Sequence, residues 1–125
     1  MKIRALKIEP GKYPEETFLD TDVRSLRDAV SIGAPKRCFY QRVYLERDVV
    51  LLCNEAGKLI GLEGNRRIGR DIIAGVFYIL QCDNEENLIS ISDKNLLFYK
   101  TIFWFPEAFN PEEIKESMRT DLITF

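Results

Sequence analysis

Two stretches of this chain are apolar at every step: Val49-Val50-Leu51-Leu52-Cys53, and the run from Ile72 to Cys82 that only Gly75 and Gln81 interrupt. A strand with one wet face alternates apolar and polar residues. A continuous run is the pattern of a strand covered on both faces. The glycine inside the second run marks a bulge or a close backbone approach. The chain has 125 residues, a length that buries roughly two-thirds of the surface exposed by the unfolded chain. With 46% apolar and 30% charged residues, its body is expected to fold rather than stay disordered.

The remaining elements follow from punctuation and spacing. Lys2 to Ile8 reads as a first strand, ended by the turn residues Glu9-Pro10-Gly11-Lys12. Glu16 to Leu19 reads as a short returning strand. Asp20, Thr21 or Asp22 caps a helix whose apolar stripe is Val23, Leu26, Ala29 and Val30. Gly33 and Pro35 stop it. Cys38 to Leu45, rich in aromatic and β-branched residues, reads as a strand, and Lys58 to Leu62 as a short one. Gly57 is expected at a turn position of positive φ. Ser92 opens a second helix that Pro106 blocks, and Asn110-Pro111-Glu112-Glu113 starts a short acidic third one, expected to dock loosely. Strands and helices do not alternate strictly, which argues against a doubly wound fold. The expectation is an α+β protein: a mostly antiparallel sheet of four to six strands, two main helices and a short C-terminal helix. Residues 1–105 are read as one α+β domain, and 106–125 as an acidic extension.

Several chemistries are poorly supplied. The chain has no histidine, which removes the usual general base near neutral pH, the histidine-activated nucleophiles and imidazole zinc sites. Cys38, Cys53 and Cys82 are an odd set without a close pair, so buried free thiols in a reducing compartment are expected. Charge is interleaved through Met1-Lys2-Ile3-Arg4, unlike a secretory signal. No apolar run approaches the roughly 20 residues of a membrane span. A cytoplasmic location is expected, with no membrane partner. The formal net charge of −2 gives no global attraction to nucleic acid. Residues 83–125 hold nine acids and four bases, while residues 1–82 hold 14 bases and 11 acids. Any anionic partner would meet the first two-thirds of the chain.

The informative stretch is Asn54 to Asp71, between the two apolar runs. It holds four of the seven glycines together with Lys58, Arg66, Arg67 and Arg70. Guanidinium forks match phosphate and carboxylate oxygens, and glycines let backbone amides approach an anion. The bland alternative is a polar hairpin with solvated arginines, some paired to Glu63 or Asp71. Gly64 to Gly69 has the spacing that opens a phosphate-binding loop, but Arg70-Asp71 follows where that loop needs Lys and then Ser or Thr. Glu55, Glu63 and Asp71 could converge on a divalent metal in a small phosphoester hydrolase. Phe39, Tyr40, Tyr44, Phe77 and Tyr78 lie on predicted strands, where they could stack bases, but core packing explains them better. Phe103-Trp104-Phe105 is either core closure or part of a homodimer contact.

The opening Ile3-Arg4-Ala5-Leu6, with Ile8-Glu9-Pro10-Gly11-Lys12, resembles an uncharacterised domain family of phages, plasmids and mostly Gram-positive bacteria. So do Asn54-Glu55, Gly57-Lys58-Leu59, Gly61-Leu62, Asn65-Arg66 and Asp71-Ile72-Ile73-Ala74-Gly75. The resemblance spans roughly residues 1–100 and implies context, an accessory gene of a mobile element, without an activity. The expected function is therefore a non-enzymatic binding module, with an anti-defence or regulatory role, for a host protein or a small anionic ligand such as a nucleotide. Asn54, Lys58, Asn65, Arg66, Arg70 and Asp71 are the candidate contacts, Asn65 and Arg66 as an exposed pair. No catalytic residue, metal ligand or cofactor is assigned. The alternatives are the metal-dependent hydrolase and a nucleic-acid-binding protein.

Overall fold

The computed structural model describes residues 1–123, with side chains through Met118. Its elements in chain order are β1 (Lys2–Ile8), β2 (Glu15–Asp20), α1 (Val23–Val30), β3 (Tyr40–Glu46) and β4 (Val49–Asn54). They continue with β5 (Gly64–Ile68), β6 (Asp71–Ala74), β7 (Phe77–Cys82), β8 (Leu88–Ile89), α2 (Asp93–Ile102) and α3 (Pro111–Ile123). The fold is α+β. Six strands form one sheet in the order β2-β1-β7-β4-β3, with β8 beside β7, and β5 and β6 form a separate hairpin. All the pairings are antiparallel.

The apolar runs occupy the middle of the large sheet, as a strand covered on both faces must. Every residue of β4 is buried. Its side chains alternate between two cores, the geometry a pleated strand imposes. Val50 and Leu52 join Ile3, Ala5, Tyr78 and Leu80 beneath α1. Val49, Leu51 and Cys53 join Leu6, Ile8, Phe77 and Ile79 beneath α2 and the hairpin, where Ile91, Tyr99, Phe103 and Ile73 close the layer.

The helices are fastened at their ends. Asp22 caps α1, accepting from the Ser25 amide at 2.9 Å. At its other end the sheet supplies donors to orphaned carbonyls: Asn54 Nδ2 to Val30 O at 3.1 Å, and the Tyr78 hydroxyl to Ala29 O at 2.9 Å. Ser92 caps α2. Gln81 Oε1, on β7, accepts from both the Ser92 amide (2.7 Å) and Asn95 Nδ2 (3.0 Å).

Three local expectations are corrected. The second apolar run is two strands in two sheets rather than one bulged strand. Gly75 sits between β6 and β7 at φ +85°, where an added Cβ would lie 2.7 Å from Leu62 Cδ1. That left-handed residue, costly for any other side chain, carries the chain from hairpin to sheet. Lys58–Leu62 is a series of turns, with Ile60 N donating to Ala56 O at 3.0 Å and Leu62 N to Gly57 O at 3.0 Å. In this coiled segment Lys58 reaches Asp71 of the hairpin and Leu62 is buried. Gly57 does not have positive φ. It is required by close approach, since a Cβ there would lie 2.5 Å from Ala74 O.

Candidate functional site

The six candidate residues fall into three groups. Asn65 and Arg66 are not an exposed pair: both are fully buried. Asn65 Nδ2 donates to Ile8 O (2.8 Å) and Gly75 O (2.9 Å), tying the hairpin to β1. Its Oδ1 accepts from Arg66 Nη1 at 2.8 Å. The Arg66 fork also donates to Phe103 O (3.1 Å), at the C-cap of α2, and to Lys12 O (2.7 Å), in the β1–β2 turn. A guanidinium brings five donors and suits the partial negative charge at a helix C-terminus. Its burial holds its pKa below the usual arginine value, against the opposing pull of Glu107. The pair is an internal clamp, out of reach of a ligand. Its spacing carries no mark of this, because a fully buried arginine is rare.

Asn54, Lys58 and Asp71 come together at one concavity. A hollow of about 340 Å³ opens beside the end of β4, walled by the 54–59 turn and β6, with Cys53, Ile72, Ile73 and Ala74 as its apolar lining. Met118 of α3 faces it from above and Gln41 of β3 from the side. Lys58 Nζ, largely buried, donates to Asp71 Oδ1 at 2.5 Å and to Ser117 Oγ of α3 at 3.3 Å. The same Asp71 oxygen accepts from the Ile72 amide at 2.8 Å. Asn54 contributes as a brace. Its amide holds α1, and its Oδ1 accepts from the Ala56 amide at 2.9 Å, shaping the wall. Burial pushes the Cys53 thiol up to about 11, Asp71 pushing the same way and Lys58 opposing. A thiol that stays protonated at neutral pH is a poor nucleophile.

Arg70 belongs to a neighbouring hollow on the outer side of the hairpin, with Arg67, Asn110, Glu112, Glu113 and Glu116. Arg67 pairs with Glu113 at 3.3 Å, its amide donates to Glu107 at 3.0 Å, and its guanidinium lies 5.4 Å from the Phe109 ring centroid. Arg67 and Arg70, unlike the buried Arg66, therefore face carboxylates of α3 and the segment before it. Gln41 and Met118 line the first hollow without having stood out in the sequence, and Leu59 lines it without having been a candidate contact. The expectation of a short strand at 58–62 hid Leu59, and Met118 enters only through a helix from the far end of the chain.

The three acids considered for a metal do not meet. Glu55 and Asp71 line the first hollow, whereas Glu63 lies in another, with Glu9, Lys12 and Gly61. Among the described residues no three His, Cys, Asp or Glu side chains gather as metal ligands would. Phe77 and Tyr78 are buried, and the Arg27 guanidinium covers the exposed Phe39 ring at 4.1 Å. Phe103 closes the core, while Trp104 lies against Tyr13 with centroids 4.7 Å apart. No described helix is long and apolar enough to cross a membrane.

A family model described as a domain of unknown function, DUF3846, matches residues 1–103. The chain belongs to the DUF3846 family. No curated protein and no solved structure matches it. The matched DUF3846 region contains both sheets, α1, α2, the Asn65–Arg66 clamp and the walls of the first hollow. It stops before α3, which supplies Met118 and the paired carboxylates.

Proposed function

We propose that this DUF3846 chain is a non-enzymatic binding module, an accessory protein of a mobile element that acts by occupying a protein of its host. The observation that carries the reading is the apolar hollow of about 340 Å³ with the Lys58–Asp71 pair at its edge. Apolar concavities fixed by a few polar groups are the usual form of a recognition site. A protein segment fits better than a small anion. Lys58 and Arg67 are already neutralised by Asp71 and Glu113, and Arg66 is spent on backbone carbonyls. A free anion would have to displace those partners, whereas a protein surface can cover the apolar lining and engage the polar rim together. Asn54, Lys58, Asp71 and Arg70 remain in or beside the proposed contact, and Asn65 and Arg66 support it from within.

The test is site-specific photo-crosslinking in a bacterial host. Leu59, 76% exposed at the rim, is replaced by benzoylphenylalanine. One discrete protein adduct is expected, weakened by Asp71→Arg and absent when the probe stands at Phe18 on the distant β2. Equal, diffuse labelling from both positions would remove the reading.

A further inference from the structure

We infer that the α1 side of the sheet carries a binding site for single-stranded nucleic acid. The open face of the Phe39 ring is its stacking platform, and Arg24, Lys36 and Arg37 are its phosphate contacts. The site shares no residue with the hollow at Lys58, and it stands without the binding reading above.

The charge of the chain is unevenly placed at short range. Residues 23–42 hold five bases and one acid, and the remaining residues hold 13 bases and 19 acids. An ordinary solvated surface intersperses both signs. The fold gathers these bases. Helix α1 presents Arg24 and Arg27 about one turn apart, and the segment from Lys36 to Phe39 returns beside them. Arg27 Nε donates to Cys38 O at 3.0 Å, Cys38 N to Ser31 Oγ at 2.7 Å, and Arg37 Nε to Asp28 Oδ1 at 2.6 Å. Arg24 and Lys36 are exposed and make no ion pair among the described residues. The Arg37–Asp28 pair is exposed on both sides, a kind of pair worth little in water.

An aromatic ring stands at the centre of this cluster. Phe39 is 63% exposed, yet it is held in place. The Arg27 guanidinium, itself pinned by Cys38 O, lies 4.1 Å from the ring centroid and covers one face. The other face is open. Bases that stack on aromatic rings while their phosphates meet cations are how proteins hold single strands without reading sequence. The neighbouring strand extends the platform. β3 is an edge strand, and its Arg42 and Tyr44 lie directly opposite Leu52 and Val50, the residues beneath α1. Residues directly opposed in a sheet share a face, so this arginine and the half-exposed Tyr44 belong to the same surface. An acidic peptide would use the cations and leave the ring idle, and a duplex keeps its base faces within its own stack. A single strand uses both features.

The probe is a labelled oligothymidylate of about 15 nucleotides, titrated by fluorescence anisotropy against the full chain. Binding is expected to weaken roughly twentyfold between about 50 and 200 mM NaCl, the drop for three phosphate contacts on a single strand. Phe39→Ala should weaken it about tenfold with the salt dependence unchanged, and Phe39→Trp should retain it. Arg24→Gln with Lys36→Gln should weaken binding and flatten the salt dependence, whereas Lys94→Gln with Lys100→Gln on α2 should change neither. No binding at low salt overturns the inference. So does a duplex bound as tightly as the single strand, polyglutamate competing as well as unlabelled oligothymidylate, or indifference to Phe39→Ala, each of which leaves a face that attracts any anion.

Discussion

At the residue scale, the clamp made by Asn65 and Arg66 sets the largest single-site effects. Removing Arg66 leaves Phe103 O and Lys12 O without the donor they now share. A buried acceptor left unpaired costs about 1–3 kcal/mol; Phe103 O is buried and Lys12 O only partly so, and Arg66→Met is expected to destabilise the chain by about 2 kcal/mol in urea unfolding. An unchanged midpoint would mean that the clamp is ornamental. Arg66→Lys should not rescue it, because a single ammonium cannot span carbonyls from two elements. Cys53 gives a signed pH effect. Its thiol is raised from 9.0 to about 11 in the folded chain, so the folded state holds the proton more tightly. That stabilisation is complete below about pH 9 and is lost as pH rises through about 11, on the order of 2 kcal/mol. Tyr78, pushed by burial to about 12, adds loss above pH 10. Stability measured from pH 8 to 12 should fall, and Cys53→Ala should flatten the part between 9 and 11. A slope identical in the variant would contradict the assignment.

At the element scale, capping decides how α2 sits. Its first turn depends on Gln81, which accepts from the Ser92 amide and from Asn95. Gln81→Ala is expected to cost about 1–2 kcal/mol and to speed amide exchange in the first turn of α2 while leaving α1 protected. Equal acceleration in both helices would point to a global effect instead. Both N-caps could be foreseen, because Asp22 and Ser92 precede their helices with the right chemistry. The hairpin β5–β6 was foreseeable only as the bland alternative. Gly64-Asn65-Arg66-Arg67-Ile68 has no apolar alternation, since its inward face is polar and is satisfied by distant carbonyls. The apolar run from Ile72 likewise conceals its own break, because Gly75 acts there through φ and through Leu62, a contact from outside the run.

At the scale of the whole molecule, the sheet and the cover on it should differ in robustness. The sheet is held by two buried apolar layers, while among the described side chains α3 is joined to the hairpin by the half-exposed Arg67–Glu113 ion pair. Surface pairs are weak and salt screens them, with a Debye length of about 3 Å at 1 M. Amide exchange of α3 is expected to accelerate several-fold between low salt and about 1 M NaCl, with β4 and β7 unchanged. A salt-insensitive α3 would show that the Arg67–Glu113 pair is not what holds it.

Local pattern was enough for the elements whose signals lie within a few residues. Continuous apolar runs demanded a doubly covered sheet, cap residues placed helix starts, and missing histidine narrowed the chemistry. Tertiary contact alone decided the meaning of the polar segment. An arginine has the same side chain whether it reads an anion or braces a helix end. What separates the roles is the position of Phe103 O and Lys12 O, 37 and 54 residues away in the chain. Likewise Lys58 became the edge of a hollow only when β6 folded back beside it, and Arg67 a paired charge only when α3 came back across the hairpin from the other end of the chain. Burial and ion pairing are properties of three-dimensional neighbourhoods, and no spacing along this chain encodes them.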